Sequence, residues 1–149
     1  MLTRKQLKDI ETLQKKNKKQ DSLQLKLNWE MLRNRETDQF DFLKYEGEVL
    51  IAFLGVYAFG SSAEVCGIVK PSERRKGHFN ELFNRAKVTM KHHGFKKVLL
   101  NAPASSNAAK AFLNTVGAIY KFTEHQMHWQ PQSLEDSGGF TLRHATIND

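Results

Sequence analysis

The chain has 149 residues, 40% of them hydrophobic, which fits one globular domain with a single core. No apolar run reaches the roughly 18 residues of a membrane span. The charged start, "MLTRKQLKDIETLQKK", lacks the apolar segment of a secretory signal peptide. With one cysteine, Cys66, an intrachain disulfide framework is excluded. A cytoplasmic protein with no membrane partner is therefore predicted.

The formal net charge of +7 raises nucleic acid as a partner. Residues 1–20 hold seven basic residues against two acidic ones, so +5 of the +7 lies in this one segment. Such a distribution is typical of the solvated face of a surface helix. The chain also has no stripe of alternating basic and aromatic residues, so nucleic acid is not the predicted partner.

Two helices are predicted at the start of the chain, over residues 3–17 and 21–34, from apolar residues at helical spacing. A hairpin follows, with its turn at Gly47 and a long apolar strand over 48–58. The stretch "EVCGIV" (64–69) is a short strand without apolar and polar alternation. That pattern is typical of a strand covered on both faces.

The second half of the chain alternates helices and strands. A helix is predicted over 75–92, a strand over 96–102, and a helix that ends at Gly117. Residues 118–129 are predicted as one long strand or a strand pair. The order α-α-β-β-β-α-β-α-β indicates an α/β (α+β) protein with a mixed sheet covered by helices.

The stretch "VKPSERRKGHF" (69–79) joins the strand at 64–69 to the helix at 75–92. The first amides of a helix are unpaired and carry partial positive charge, so they suit a phosphate. Gly77 allows a close backbone approach, and three neighbouring basic residues add full charges. From this local pattern alone, an anion site and a solvated basic turn both stay open.

"RRKGHF" (74–79) resembles the acetyl-CoA motif Gln/Arg-x-x-Gly-x-Gly/Ala of the GNAT N-acetyltransferase superfamily. Arg74 and Gly77 match the first two positions, whereas Phe79 stands where the family usually has Gly or Ala. The order of elements is similar to the family over about residues 40–130. The resemblance implies a GNAT-like fold, with a mixed, mostly antiparallel sheet covered by helices on both faces.

The resemblance also implies acetyl-CoA as the donor. Two central strands would splay apart to admit the thioester, and the strand backbone would pair with the pantetheine arm. Amides of the basic loop would hold the pyrophosphate, and the start of the next helix would touch the cofactor. The cofactor-binding residues implied in this way are Ile68, Val69, Arg74, Arg75, Lys76, Gly77, His78, Phe79 and Asn107.

Acetyl transfer to an amine needs a base for the ammonium and an acid for the departing thiolate. Glu64 opens the cofactor strand, where several family members carry a catalytic Glu, and Glu124 is a second candidate. A structural role is the alternative interpretation for each of these two carboxylates. The Tyr that usually serves as the acid is missing, because Phe112 or Leu113 occupies its place. Tyr120 on the following strand is the remaining candidate, and a core role is the alternative.

The end of the chain suggests a further domain. Residues 131–139 are predicted as a linker, rich in polar residues, Pro and Gly. "FTLRHATIND" (140–149) resembles the strand with which family members often open. The predicted organisation is a GNAT-like domain over 1–130, the linker, and the start of a second GNAT domain in a tandem protein. The alternative is a terminal strand that completes this sheet or that of a neighbour in a homodimer.

Two functions remain open at this point. The first is an acetyl-CoA-dependent N-acetyltransferase acting on an amine of a small molecule or protein. The second is a non-catalytic acyl-CoA-binding or regulatory domain of a tandem GNAT protein. No metal is predicted, because His125 and His128 face opposite sides of a strand and have no cysteine partners.

Overall fold

The computed structural model of the protein describes residues 1–21, 25–37, 39–125, 127 and 143–146. The chain divides into two units, Met1–Ala118 and Ile119–Asp149, and the helices and strands of the described residues belong to the first. Within the described residues, no helix is both long enough and apolar enough to cross a membrane.

Helix α1 (Arg4–Asp21) begins with a reciprocal capping pair. The Gln6 amide donates to Thr3 Oγ1 at 3.1 Å, and the Thr3 amide donates to Gln6 Oε1 at 2.8 Å. Helix α2 (Trp29–Asn34) is much shorter than the predicted 21–34. Asn28 Oδ1 accepts from the Met31 amide at 3.0 Å and starts the helix there, while residues 25–28 are not helical. Residues 22–24 of the prediction lie outside the described part.

Four strands form one sheet in the order β1-β2-β3-β4. They are β1 (Asp41–Glu46), β2 (Val49–Phe59), β3 (Ser62–Val69) and β4 (Lys97–Leu100). The first two pairings are antiparallel and the third is parallel. The β1–β2 turn contains Gly47 at a φ of 55°, as the hairpin prediction required. The predicted mixed, mostly antiparallel sheet is confirmed.

Helices cover both faces of this sheet. Leu32 of α2 packs in one apolar cluster with α1, and Leu82 of α3 (His78–His92) packs in the other, against which α4 (Asn107–Thr115) lies. Residues of β3 alternate between the clusters, with Cys66 in the first and Val65 in the second. The prediction that "EVCGIV" is covered on both faces is therefore confirmed.

The strand predicted over 118–129 is not present in the described residues 118–125 and 127. That prediction was wrong for this stretch, because apolar side chains indicate a suitable strand but do not supply the neighbour that completes its backbone hydrogen bonds. The predicted linker (131–139) lies outside the described residues. The predicted opening of a second domain (140–149) is described only at 143–146 and stays a prediction.

The burial of α3 predicts a large difference between two truncations on this helix. Leu82 is 0% exposed and Val88 is 72% exposed. We expect Leu82→Ala to lower the free energy of unfolding by about 2–5 kcal/mol, because it leaves a cavity. Val88→Ala should change it by less than about 0.5 kcal/mol. Urea unfolding followed by circular dichroism measures both, and equal losses would contradict the packing of α3 on the sheet.

Candidate active site

The candidate site begins where β3 and β4 separate. Their parallel pairing runs from Ser62 opposite Lys97 to Val65 opposite Leu100. One further bond follows, from the Asn101 amide to the Val65 carbonyl at 2.9 Å. The next bond of a parallel ladder would run from the Gly67 amide to the Asn101 carbonyl, and these two described residues do not form it. One step further, residue 103 is a proline and has no N–H for the Gly67 carbonyl, so the pairing does not resume and a gap opens beside β3.

The register of β3 decides which backbone groups face this gap. Ile68 pairs with Phe53 of β2, and the Lys70 amide bonds to the Ile51 carbonyl at 2.8 Å. Even-numbered residues of β3 therefore turn their peptide groups toward β2, and Gly67 and Val69 turn theirs toward the gap. Of the two strand residues implied by the resemblance, Val69 offers its backbone to the gap. Ile68 contributes only to the lining.

A cavity of about 350 Å³ occupies the gap. It is bounded by β3, by the first turn of α3, by α4 and by Gln14 and Asn17 of α1. Seven of the implied cofactor residues line it, and they are Ile68, Val69, Arg74, Arg75, Gly77, His78 and Phe79. Lys76 and Asn107 do not line it. Lys76 Nζ instead contacts Glu73 Oε2 at 2.7 Å, and the Asn107 side chain is exposed at the start of α4.

The loop between β3 and α3 presents an open helix start to the cavity. Gly77 caps α3 at a φ of 83°, a left-handed conformation that favours glycine, and no side chain caps the helix. No atom lies within 4 Å of where a Cβ would stand at Gly77. Arg75 also has a positive φ, 64°. The first amides of α3 are thus left to an external acceptor, and an anion fits them best.

The three basic residues of this loop, at positions 74–76, differ in their partners. Arg74 donates to Asn17 Oδ1 of α1 and, through Nε, to the Val69 carbonyl at 3.4 Å. Asn17 is buried, so this contact ties α1 to the loop. Lys76 donates a hydrogen bond to the Glu73 carboxylate and thereby lowers the pKa of that carboxyl. Arg75 is exposed and forms no ion pair within the described residues, so its charge is available.

Phe79, where the family motif usually has Gly or Ala, is accommodated by a glycine on the facing strand. A Cβ at Gly67 would overlap the Phe79 ring and would lie 2.8 Å from the Phe53 carbonyl oxygen. The Phe79 ring packs edge-on against Phe112 of α4, with centroids 4.6 Å apart. These two rings form an aromatic wall of the cavity that sequence reasoning did not predict. Its signal was the pairing of a bulky residue at 79 with a glycine at 67.

Glu64 lies at the edge of the site, near the start of β3. Its Oε2 accepts a hydrogen bond from Asn101 Nδ2 at 3.0 Å, and Asn101 lines the cavity while Glu64 does not. Asn101 was not among the predicted site residues. Tyr120 and Glu124 belong to the second unit, where the Tyr120 hydroxyl lies 2.9 Å from Thr123 Oγ1.

Helix α4 brings Phe112, Leu113, three alanines and Thr115 to the cavity, and none of its residues is a tyrosine. Within the described residues, no group of three or more His, Cys, Asp or Glu side chains is arranged to hold a metal ion. The arrangement therefore offers peptide groups, an uncapped helix start, the carboxylate of Glu73 in its lining and that of Glu64 at its edge.

The sequence and the fold together define the family. The family model described as "Acetyltransferase (GNAT) family" matches residues 4–118, and the chain therefore belongs to the GNAT acetyltransferases. No curated protein matches the chain closely enough to count as a relative.

Solved structures of acetyltransferases have the same fold. The ribosomal-protein-S18-alanine N-acetyltransferase from Escherichia coli has a TM-score of 0.61 and 17% identity, over 78% of this chain and 73% of that one. An aminoglycoside acetyltransferase from an uncultured soil metagenomic sample has a TM-score of 0.59 and 13% identity, over 88% and 93%. An aminoglycoside N-acetyltransferase in complex with CoA has a TM-score of 0.56 and 15% identity, over 88% and 96%.

Cys66 allows a test of the packing beside the gap. Its side chain is 2% exposed, Sγ lies 3.7 Å from the Lys26 carbonyl oxygen, and burial raises the pKa of the thiol to about 11. Because only the thiolate reacts, alkylation of the folded chain should keep accelerating as the pH rises from 9 toward 11. The unfolded chain in urea should level off near pH 9. Equal pH profiles for the folded and unfolded chains would contradict the buried position.

Proposed function

We propose that this chain is an acetyl-CoA-dependent N-acetyltransferase that acts in the cytoplasm on an amine of a small molecule or protein. The observation that carries the proposal is the meeting of two features at one cavity. One is the gap beside β3, into which Gly67 and Val69 direct peptide groups that take no part in the sheet, and the other is the uncapped start of α3 at Gly77. Family membership supports the reaction class.

The donor would lie along the gap in an extended form. Amides of the pantetheine arm would pair with the peptide groups of Gly67 and Val69, as an added strand does. The pyrophosphate would accept from the first amides of α3, and Arg75 would add a full positive charge. Phe79 and Phe112 would flank the arm with apolar surface.

In the reaction, the C–N bond forms as the amine attacks the thioester carbon, and the C–S bond breaks. Glu64 is proposed to take the proton that the ammonium must lose, and its hydrogen bond with Asn101 orients the carboxylate at the cavity edge. Gap-facing N–H groups of β3 are suitable donors to the negative charge that develops on the carbonyl oxygen. Tyr120 for the thiolate proton and Glu124 as a second base rest on the sequence alone.

Cys66 is not part of this reaction. The pKa of its thiol is raised to about 11 by burial, so the thiol stays protonated near neutral pH. A protonated thiol does not compete with the amine for the acetyl group, which favours direct transfer from donor to acceptor.

The acceptor is proposed at the level of an amine. The similar structures include an enzyme named for a ribosomal-protein alanine and others named for aminoglycosides, so both protein and small-molecule amines belong in an acceptor screen. A second candidate function is a non-catalytic acyl-CoA-binding or regulatory domain. The observation that favours it is that Phe112 and Leu113 stand where the resemblance places the acid, so α4 brings no phenol hydroxyl to the cavity. The Thr115 hydroxyl, which also lines the cavity, donates to the Ala111 carbonyl at 2.9 Å.

The donor site predicts the effect of a carboxylate at Gly77. We expect calorimetric titration of the native chain to show micromolar binding of acetyl-CoA and CoA. Gly77→Glu should abolish it, because the new carboxylate would repel the pyrophosphate. Gly94→Glu is the matched control, since Gly94 also has a positive φ and open space around it, at the other end of α3. Both variants carry the same backbone strain of about 1–2 kcal/mol. Failure of the native chain to bind either ligand would refute the proposed donor site.

The proposed base predicts a separation of turnover from donor binding. Glu64→Gln should lower kcat/KM for the best acceptor of an amine panel by about 10²–10⁴-fold, because the amide cannot take the proton. Donor affinity should not change. Glu48→Gln, an exposed carboxylate before β2, is the control. Unchanged turnover in Glu64→Gln would exclude this base, and a native chain that binds acetyl-CoA without any turnover would favour the non-catalytic function.

A further inference from the structure

A second cavity of about 500 Å³ lies beside the short 3₁₀ turn Pro71–Glu73. We call it the lysine pocket, and its lining residues are Lys16, Lys19, Gln20, Lys70, Pro71 and Ser72. Lys16, Lys19 and Gln20 stand at positions i, i+3 and i+4 of α1, which places them on one face of the helix.

The lysine pocket adjoins the cavity proposed for the donor. Asn17 of α1 lines the donor cavity and follows Lys16 directly, and Glu73 lines it one residue after Ser72. The contact of Asn17 with Arg74 joins α1 to the loop between the two cavities. The two cavities therefore have neighbouring linings on either side of this contact.

The lysines of the lysine pocket are not held in close ion pairs within the part of the chain that the structure describes. Within the described residues, the ammonium groups of Lys16, Lys19 and Lys70 form no ion pair or hydrogen bond. Other lysines of α1 do have partners, since Lys5 lies 3.1 Å from Asp9 and Lys15 lies 2.6 Å from Glu11. Like charges three residues apart on a helix repel each other, so the pocket gains stability from a bound anion.

The carboxylate of Glu73 interacts with Lys70 at a distance but forms its close contacts with other groups. Glu73 is close enough to Lys70 for that charge to help lower the pKa of its carboxyl. Its two oxygens are used elsewhere, however, with Oε2 2.7 Å from Lys76 Nζ and Oε1 3.3 Å from Ser72 Oγ. His78 Nε2 also lies 3.7 Å from Oε2. The pocket thus keeps three ammonium donors for an outside ligand.

We propose that the lysine pocket binds a phosphate monoester, and that this group is the 3′-phosphate on the ribose of the donor CoA. The inference rests on the proposed function. A phosphate monoester carries close to two negative charges at neutral pH and three acceptor oxygens, which suits three ammonium groups. In CoA this phosphate is separated from the pyrophosphate by one ribose. With the pyrophosphate at the start of α3, the 3′-phosphate would lie close by, and the neighbouring lysine pocket has the opposite charge.

The test compares CoA with dephospho-CoA, which lacks only this phosphate. The variant is Lys16→Gln/Lys19→Gln, and the matched control is Lys8→Gln/Lys18→Gln, which removes the same charge from exposed positions of α1 outside both cavities. We expect the native chain and the control to prefer CoA by about tenfold in Kd, or about 1.4 kcal/mol. The variant should prefer it by less than about threefold and should bind dephospho-CoA as the native chain does. Added salt should reduce the native preference.

Several results would overturn the inference. The inference is overturned if the lysine variant keeps the preference for CoA. It is also overturned if the variant weakens the binding of CoA and of dephospho-CoA by the same factor, because that would indicate general charge attraction. A native chain that binds both ligands equally overturns this inference alone and leaves the donor site standing. Binding of inorganic phosphate at these lysines without any preference for CoA would assign the pocket to a separate anion. A native chain that binds neither ligand refutes the proposed function, and this inference with it.

Discussion

The end of the β3–β4 ladder is the constraint on which the site depends. Up to Val65 the two strands are held by parallel pairing. The following bond, from the Gly67 amide to the Asn101 carbonyl, is not formed, and Pro103 has no N–H with which to resume the ladder. Beyond that point β3 stays paired with β2 as far as Val69 and lies between two apolar clusters. Because one strand continues and its neighbour leaves, peptide groups in the middle of a sheet become available without exposing a whole strand edge.

The inner face of helix α1 links the core to the loop that precedes α3. Ile10 and Leu13 anchor it in the core, and Asn17 carries it to the loop that precedes α3. Gln14 bonds to the Leu25 carbonyl at 2.7 Å and accepts from Trp29 Nε1 at 3.2 Å, so the same helix also holds the start of α2. One helix thus connects the segment before the sheet with the loop after β3.

Sequence reasoning predicted the fold class, most elements and the loop at 74–79, because these depend on local periodicity and on backbone chemistry at Gly77. It predicted α2 too long, since a single capping residue, Asn28, decides where that helix begins. It connected Gly67 with the gap but did not predict which peptide groups of β3 face it, because that depends on the register with β2. Asn101 was missed for a related reason, as its position follows from where the ladder ends.

Gly67 on β3 and Phe79 on α3 depend on each other sterically. The ring of Phe79 occupies the volume that a side chain at 67 would need. Family members with a small residue at the motif position have no such requirement on the facing strand. In an aligned set of GNAT sequences, we therefore expect the side chains at these two positions to vary together, so that a large side chain at one position accompanies a small one at the other. Grafting the loop of this chain onto another member would then require the strand glycine to be carried with it.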